Sequence, residues 1–346
     1  VKNLLISRIC VKSEDDADVR RYTHLRRVQE ELVVLPESFD PVRLRYINIM
    51  RPYVERLNKA NLLRISNPEA VTKSYLYHVL QLLKEKRWGG GNKSLEFDAF
   101  SLRNLVQGWE TLVTQGPRSL LASLDEAMNE DGAGTNPNRS FFRRERYRPD
   151  VQDLFMCTRQ LVASGATHPK IERLQTLLHD HFHSNADENG NTGADTRVIV
   201  FAEYRATVHE IRDKLAELSP LVRPVAFIGQ QSTSLLKGQS QKEQQAVIAR
   251  FRAGEYNVLI STSIGEEGLD IGYVDLIVCY DTLTSPVRTI QRMGRTGRAR
   301  EGRVIFLMTQ GFEDAAFRKT RENQKTMYKD LARAVQQNQV QQQQQQ

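Results

Sequence analysis

The strongest constraint on the fold is a change of hydrophobic pattern near residue 197. From there, short runs rich in Val and Ile alternate with segments whose apolar residues recur at helical spacing. Buried strands that alternate with helices predict a parallel α/β sheet with helices on both faces. Ligands of such sheets bind beyond the carboxyl ends of the strands. The residues that follow each run are therefore candidate site residues, and we interpret five runs as strands: 197–201, 222–228, 257–261, 274–280 and 302–308.

The chain upstream of this region has a different pattern. Residues 36–185 repeat apolar side chains at intervals of three and four, which predicts an α-helical domain. Residues 186–196 are polar and rich in Gly and Asn, and we interpret them as a linker. The predicted organisation is thus a helical domain, a linker and an α/β lobe at residues 197–325.

Both ends of the chain are less regular. Residues 1–35 hold two short apolar runs, 4–11 and 31–35, which suit strands of a sheet whose remainder is missing. We interpret them as a connection from a preceding lobe. Residues 326–346 are a predicted helical end followed by a tail that is almost entirely glutamine. Such a tail cannot build a core, so we expect it to be disordered.

Composition limits the class of protein. The formal net charge of +7 and the sequence pI near 9.3 favour a polyanionic partner. Cys10, Cys157 and Cys279 are far apart, which excludes a disulfide scaffold. No apolar run reaches the roughly 18 residues that a membrane span requires. Because the chain opens at Val1 without a methionine, we expect it to be part of a longer protein.

The most specific segment is QRMGRTGRAR at residues 291–300. Three arginines recur at every third position, Arg292, Arg295 and Arg298, and Gln291 precedes them. This spacing puts the three side chains near one face if the segment is helical. The planar guanidinium group fits phosphate oxygens. The stretch therefore indicates a site for a polyphosphate or a nucleic-acid backbone, and a solvated basic surface is the alternative.

Two more segments follow predicted strands, FAEYR at 201–205 and TSIGEEGLD at 262–270. Together with the arginine stretch they resemble motifs IV, V and VI of the second RecA-like lobe of superfamily-2 helicases. The chain resembles most the FANCM/Hef family of DNA helicases. That likeness includes FIGQ at 227–230, GQSQKEQ at 238–244 and HPK at 168–170.

The resemblance implies a fold and an ATP-driven motor activity. The fold would be α/β: a RecA-like parallel sheet lobe preceded by an α-helical insert domain. The helical region stands where that family carries an insert between its two lobes. ATP and Mg²⁺ would be bound mainly by the first lobe, which this sequence lacks.

The resemblance also implies roles for individual residues at the nucleotide. Arg295 and Arg298 would be arginine fingers that reach ATP on the other lobe, where cations stabilise charge in the transition state. Gln291 would place the γ-phosphate or the attacking water. Arg292 would belong to the nucleotide site, or would hold the motif in place.

The segment TSIGEEGLD would serve both ligands. Gly268 and Asp270 would approach the nucleotide, with Asp270 at the ribose. In the alternative, Glu266, Glu267 and Asp270 only pair with the arginines. Contacts with the DNA backbone, which carry no sequence information, would come from four residues: Arg205, Thr262, Gly229 and Gln230.

By resemblance, the whole protein would be an ATP-dependent DNA helicase or translocase. Its substrates would be replication forks and branched intermediates in DNA repair, in the nucleus of a eukaryotic source. Its partners would be DNA, the first RecA-like lobe and histone-fold repair proteins, without a membrane. Two alternatives stay open: a RIG-I-like RNA helicase, which has an insert at this position, and a non-catalytic module that binds branched DNA.

Two weaker segments allow more than one interpretation. FFRRERYR at 141–148 interleaves aromatic and basic residues, so it suits either a DNA grip or a solvated helix start. HDHFH at 179–183 places three histidines together. No nearby Cys or Glu completes a ligand set, so we predict the end of an exposed helix and no metal site.

The purified chain alone is predicted not to hydrolyse ATP. GGGNKS at 89–94 imitates a phosphate loop, but no strand precedes it and Asn92 replaces the required glycine. DEAM at 125–128 imitates a DExH box, but it follows a helical pattern. The chain therefore supplies half of an ATPase site. DNA-stimulated phosphate release by the purified chain would contradict this prediction.

Overall fold

The computed structural model describes residues 26–85, 93–129, 141–184, 196–231, 238–265, 271–281, 285–297 and 301–343, together with Asp16, Asp18 and His24. The chain divides into two compact units. We call Val34–Ile171 the helical unit, and Val1–Val33 with Glu172–Gln346 the sheet unit. The predicted strand at 4–11, the glycine run at 89–91 and residues 186–195 of the predicted linker lie outside the described residues.

The helical unit contains six α-helices among its described residues: α1 (Asp40–Lys59), α2 (Lys73–Lys84), α3 (Lys93–Gln115), α4 (Pro117–Asn129), α5 (Phe141–Arg144) and α6 (Pro149–Ala163). Helix α1 continues through Pro52 and buries one face, whose residues recur at three and four. Thr72 caps α2, because its hydroxyl accepts a hydrogen bond from the Tyr75 N–H at 3.3 Å. The segment at 125–128 lies in α4, so its resemblance to a DExH box is indeed accidental.

Aromatic side chains form the centre of the helical unit. Tyr46 is fully buried, and its hydroxyl donates to the Leu105 carbonyl at 2.9 Å. Its ring lies 5.9 Å from that of Trp109 and 6.0 Å from that of Phe142. Gly108 makes this packing possible, since a Cβ there would lie 2.3 Å from the Tyr46 hydroxyl. Burial raises the pKa of Tyr46 well above its ordinary value, so the phenol stays neutral.

This core corrects the interpretation of residues 141–148 as a grip on DNA bases. Phe141 and Phe142 are buried at 0% and 6% exposure, so they cannot stack on a base. Arg144 donates to Ser101 at 2.8 Å, and Arg148 pairs with Asp150 at 2.5 Å. The two phenylalanines of α5 therefore belong to the core of the helical unit.

Two buried polar side chains bind the last carbonyl groups of helix α3. His168 Nε2 donates to the Val113 carbonyl at 2.9 Å, and Lys170 Nζ donates to the Thr114 carbonyl at 3.3 Å. These carbonyls belong to the last turn of α3, which lacks helical partners and carries the negative end of the helix dipole. His168 Nδ1 accepts from the Lys170 N–H at 3.2 Å, so the ring is held in its neutral form.

The sheet unit is built on six parallel strands: β1 (Arg26–Val33), β2 (Val198–Phe201), β3 (Pro224–Phe227), β4 (Val258–Ser261), β5 (Leu276–Cys279) and β6 (Gly302–Thr309). Their order is β1-β6-β5-β2-β4-β3. The chain passes from β2 outward to β3, returns to β4, and crosses to β5 on the other side of β2. The crossing makes the carboxyl end of β2 a topological switch point, where ligands of such sheets bind.

Five helices belong wholly or mostly to this unit: α7 (Pro169–Ser184), α8 (Arg205–Ala216), α9 (Gln241–Arg252), α10 (Pro286–Met293) and α11 (Glu313–Gln343). Helix α7 starts in the last residues of the helical unit. One face of the sheet packs against α9 and α11 in a core that includes Phe201, Phe251 and Phe317. The alternate residues of β2, β4 and β5 are also buried, so both faces are covered. The prediction of a parallel α/β fold is confirmed.

Strand β1 differs from its prediction. The sequence suggested a strand at 31–35 in a sheet completed elsewhere, but β1 spans Arg26–Val33 and pairs with β6. It is an edge strand with mostly exposed side chains, so it lacks the apolar run of a buried strand. Ion pairs attach it to the unit: Glu31 with Arg173 at 2.8 Å, Glu30 with Arg321 at 2.7 Å, and Arg27 with Glu301 at 2.6 Å.

Two smaller expectations are also corrected. The glutamine tail was expected to be disordered, but α11 extends to Gln343, because glutamine is a good helix former even without a core to bury. The HDHFH segment was placed on an exposed helix end. His181 is buried instead and lies 3.0 Å from the Thr196 hydroxyl. Within the described residues, no helix is long and apolar enough to cross a membrane.

The burial of His168 gives the helical unit a predictable dependence on pH. Burial and the nearby Lys170 ammonium lower the pKa of His168 from 6.5 to about 3. The unfolded chain therefore takes up a proton below about pH 6.5 that the folded chain does not. The stability that neutral His168 contributes is complete above that pH and falls by about 1.4 kcal/mol per pH unit below it.

Chemical denaturation at pH 7 and pH 5.5 measures this loss. We expect a clear decrease in unfolding free energy for the wild type and a smaller one for His168→Gln, which cannot be protonated. His78→Gln is the matched control, since His78 is exposed on α2. Identical pH dependence of the two variants would show that His168 does not titrate as described.

Candidate functional site

The carboxyl edge of the sheet is joined by hydrogen bonds that extend past the strands. The Ala202 N–H donates to the Ser261 carbonyl, and the Tyr280 N–H donates to the Phe201 carbonyl, both at 2.9 Å. Asp281 Oδ2 accepts from the Glu203 N–H. The residues after β2, β4 and β5 therefore share one surface, as the sequence predicted. Burial, and then the charge of Asp281, raise the pKa of Tyr280 well above its ordinary value.

Arg292 is the buried anchor beneath this surface. It is 1% exposed, and its guanidinium lies 4.9 Å from the centre of the Phe201 ring. Its Nη1 donates to the Asp281 carbonyl at 3.3 Å. Of the two roles considered for Arg292, these contacts favour holding the motif in place over contact with a nucleotide.

Thr262 follows β4 at the same edge. It is 8% exposed, and its N–H donates to the Phe227 carbonyl at 3.2 Å. Gly265 follows in a short 3-10 turn, where a Cβ would lie 2.4 Å from the Ser261 hydroxyl. The chain thus turns tightly over the end of β4 just before residues 266–270.

Arg205 and the loop 229–231 form the outer part of this edge. Arg205 opens α8, and its Nη1 donates to the Gln231 carbonyl. A Cβ on Gly229 would lie 3.4 Å from Arg205 Nη2, so Gly229 and Arg205 are in close contact. Gln230 is exposed beside them. Burial, and then the charge of Arg212, lower the pKa of the neighbouring His209, while Asp213 acts in the opposite direction.

A side-chain amide completes the outer edge of β3. Gln239 Oε1 accepts from the Ile228 N–H, and its Nε2 donates to the Ala226 carbonyl, both at 2.9 Å. Gln244 Nε2 donates to the Ile228 carbonyl at 2.9 Å. These amides replace a neighbouring strand and fix the path of the chain into Gly229. The sequence had suggested Gln239 only as part of a family resemblance.

The arginine stretch lies at the opposite, amino-terminal edge. Helix α10 ends at Met293 and Gly294 follows it, so Arg292 and Arg295 are not on one helical face. The isolated bridge between Val274 and Thr296 places the loop 294–297, which we call the arginine loop, at the start of β5. The arginine loop therefore lies away from the strand carboxyl ends, where the residues that follow β2, β4 and β5 are found. The reason is that α10 runs back across the sheet before β6 begins.

Close packing fixes the arginine loop. Thr296 is 2% exposed, and its hydroxyl donates to the Val274 carbonyl at 2.5 Å. Gly297 has a φ of +74°, a conformation that glycine adopts readily. A Cβ on Gly302 would lie 2.3 Å from Thr296 Oγ1. Gln291 and Arg295 are half-buried, before and within this loop.

Several predicted site residues lie outside the described part of the chain: Arg298, Gly268, Asp270, Glu266 and Glu267. Conversely, the structure adds residues that sequence reasoning missed. Asp281 fixes Arg292 and the turn after β2, and Arg26 of β1 contacts the arginine loop. Arg26 is remote in sequence, so no local pattern could reveal it. The only sequence feature that pointed to Asp281 was its position directly after a predicted strand. No cluster of three His, Cys, Asp or Glu suited to a metal occurs among the described residues.

The buried hydrogen bond of Thr296 can be tested by stability. Thr296→Val keeps the shape and leaves the Val274 carbonyl without its side-chain donor, so we expect a loss of about 1–2 kcal/mol in the unfolding free energy. Thr289→Val is the matched control. Its hydroxyl donates to Ser285 O, which already accepts the Thr289 N–H within α10. Equal losses in chemical denaturation would argue against a special role for Thr296.

The chain resembles known proteins in both sequence and fold. Residues 169–300 match the helicase conserved C-terminal domain family. The Fanconi anemia group M protein of Gallus gallus is 34% identical over 96% of this chain and 18% of its own length. The ATP-dependent DNA helicase fml1 of Schizosaccharomyces pombe is 33% identical over 96% of this chain and 39% of its own length.

A solved structure has a similar fold. The Pyrococcus furiosus Hef helicase domain superposes with a TM-score of 0.66 and 30% sequence identity, covering 92% of this chain and 63% of that one. The chain spans only about a fifth to two fifths of the length of the two relatives above. Together, the sequence matches and the shared fold make the chain similar to FANCM/Hef helicases over nearly its whole length.

Proposed function

We propose that this chain provides the helical insert and the second RecA-like lobe of an ATP-dependent DNA helicase that acts on forked or branched DNA in repair. The observation that carries the proposal is the arginine loop. Its sequence is that of a helicase motif, and it is fixed on a parallel sheet in a chain similar to the DNA helicase fml1 over nearly its whole length. The name of fml1 supports DNA as the substrate.

The nucleotide would meet the amino-terminal edge of the sheet. ATP with Mg²⁺ supplies the phosphoryl group whose transfer releases energy, and both would be held mainly by another lobe. The groups available here suit a polyphosphate: the half-buried Arg295 and Gln291, and Arg298 in the sequence that follows. Arginines stabilise charge that develops on the transferring phosphoryl group. Gly268 and Asp270 remain predicted contacts of the nucleotide.

The nucleic acid would meet the carboxyl edge. Arg205, Gly229, Gln230 and Thr262 lie on that side, and arginine contacts with the DNA backbone are independent of sequence. The non-catalytic alternative does not explain why a separate arginine loop is held at the other edge.

Helix α10 can couple the two edges. From the last turn of the helix, the Arg292 side chain donates to the Asp281 carbonyl, and the Asp281 carboxylate accepts from the backbone after β2. The same turn leads directly into the arginine loop. A shift at the DNA-facing edge would therefore move the loop as a rigid extension of the helix. Arg292 is in this view a positioning residue.

The cellular setting follows from the resemblance alone. A nuclear location and histone-fold repair partners are both proposals for the whole protein. So is the inability of this chain alone to hydrolyse ATP, which follows from the sequence motifs it lacks. Stimulation of the full-length protein by forked DNA and not by duplex RNA would support the DNA assignment over a RIG-I-like one.

The arginine loop predicts a specific kinetic defect. In the full-length protein, Arg295→Ala or Arg298→Ala should lower DNA-stimulated kcat by about 10³-fold, the lower end of the range for arginine fingers. Nucleotide binding should change little, because the other lobe supplies most of it. Arg250→Ala, an exposed arginine paired with Glu255, is the matched control. Retained hydrolysis in both loop variants would refute the assignment.

The carboxyl edge predicts a defect in DNA binding. Arg205→Ala should weaken binding of this chain to DNA equally for different sequences. It should also reduce the slope of log affinity against log salt by about one, as expected for one lost phosphate contact. Arg212→Ala on the same helix, where Arg212 pairs with Asp213 at 2.6 Å, should leave the slope unchanged. An unchanged slope for Arg205→Ala would remove it from the interface.

A further inference from the structure

We propose that Arg26, on the edge strand β1, is a positioning residue for the arginine loop and, through it, for the ATPase step. The proposal rests on the proposed function, because it assumes that Arg295 acts on a nucleotide. Arg26 lies more than 140 residues before the segment matched by the helicase C-terminal family, which begins at residue 169. It reaches the loop only because β1 pairs with β6, with Arg26 opposite Gly302.

The first contact is with the end of α10. Arg26 Nη1 donates to the carbonyl of Met293, the last residue of that helix, at 3.3 Å. Carbonyls at a helix C-terminus carry the negative end of the helix dipole, so a guanidinium is favoured there. The contact fixes the point at which the chain leaves the helix and enters the loop.

The second contact is with Gly297, at the other end of the loop. A Cβ on Gly297 would lie 2.7 Å from Cγ of Arg26 and 3.1 Å from its Cδ. The aliphatic part of Arg26 therefore lies directly against the Gly297 backbone. The chain before β1 adds a hydrogen bond, from the His24 N–H to the Gly297 carbonyl at 2.9 Å.

These contacts bracket Arg295 from both sides. Met293 and Gly297 are each two residues from it, and both are held by the same edge strand. A catalytic group held in place in advance needs no rearrangement during the reaction. A misplacement of about 1 Å can cost about 10²-fold in rate. Loss of the Arg26 contacts should therefore slow hydrolysis without removing any group that touches the nucleotide or the DNA.

The test uses the full-length protein and a pair of neighbouring substitutions. Arg26→Met keeps the aliphatic stem and removes the donor. Arg27→Met removes the same charge from the same strand, but Arg27 is largely exposed and pairs with Glu301. We expect Arg26→Met to lower DNA-stimulated kcat at least about tenfold. The KM for ATP and the affinity for forked DNA should stay within about twofold of wild type, and Arg27→Met should match wild type throughout.

A conservative variant separates positioning from simple stability. Arg26→Lys retains a cation and a donor, so it should restore most of the kcat lost in Arg26→Met. The proposal is overturned if Arg26→Met behaves like Arg27→Met, or if it raises KM or weakens DNA binding as much as it lowers kcat. A Lys variant as slow as the Met variant would also overturn it.

Folding and the assumed function are checked separately. If Arg26→Met does not fold, Gly297→Ala tests the same contact from the loop side, and wild-type kcat there overturns the proposal. Arg295→Met is measured in parallel. If Arg295→Met keeps its turnover, the proposed function fails. If Arg295→Met loses turnover while Arg26→Met behaves like Arg27→Met, only the positioning role fails.

Discussion

The parallel pairing of β1 with β6 is the interaction on which the organisation of this chain depends. Eight residues of β1 pair in register with β6, although the helical unit and four strands separate them in sequence. Parallel strands cannot be joined by a tight turn and require a long connection. Here that connection includes an entire second unit, Val34–Ile171. The helical unit therefore lies, in sequence, between two segments of the sheet unit.

The parallel pairing of β5 with β6 explains why the candidate site residues occupy two edges. Helix α10 starts beyond the carboxyl end of β5 and must return to the amino-terminal edge, because β6 is parallel to β5. The residues after β2 and β4 stay at the carboxyl edge, while Arg295 is carried to the other edge. The two proposed polyanion sites therefore lie on different edges of one lobe. Arg292 connects these edges within a buried layer, where a lost contact cannot be replaced by water.

Local pattern located most elements of the sheet unit, because buried parallel strands need continuous apolar runs. The local pattern misled where the burial of a side chain does not follow from its neighbours in sequence. Strand β1 is polar because its side chains are exposed at the edge, so its sequence resembles a charged loop. Phe141 and Phe142 looked like a nucleic-acid contact, but they belong to a core centred on Tyr46. In both cases the side chain's environment, not its type, decided its role.

The sequence by itself determined the parallel α/β class, the helical composition of the inserted region and the residue types of the arginine loop. Those features depend on neighbours within a few positions. Only the tertiary structure decided that Arg292 is a buried anchor, that Arg295 lies apart from Arg205 and Thr262, and that Arg26 contacts the loop. These contacts join residues that are far apart in the sequence. Strand pairing and burial bring such residues together, and a pattern of neighbouring residues does not reveal them.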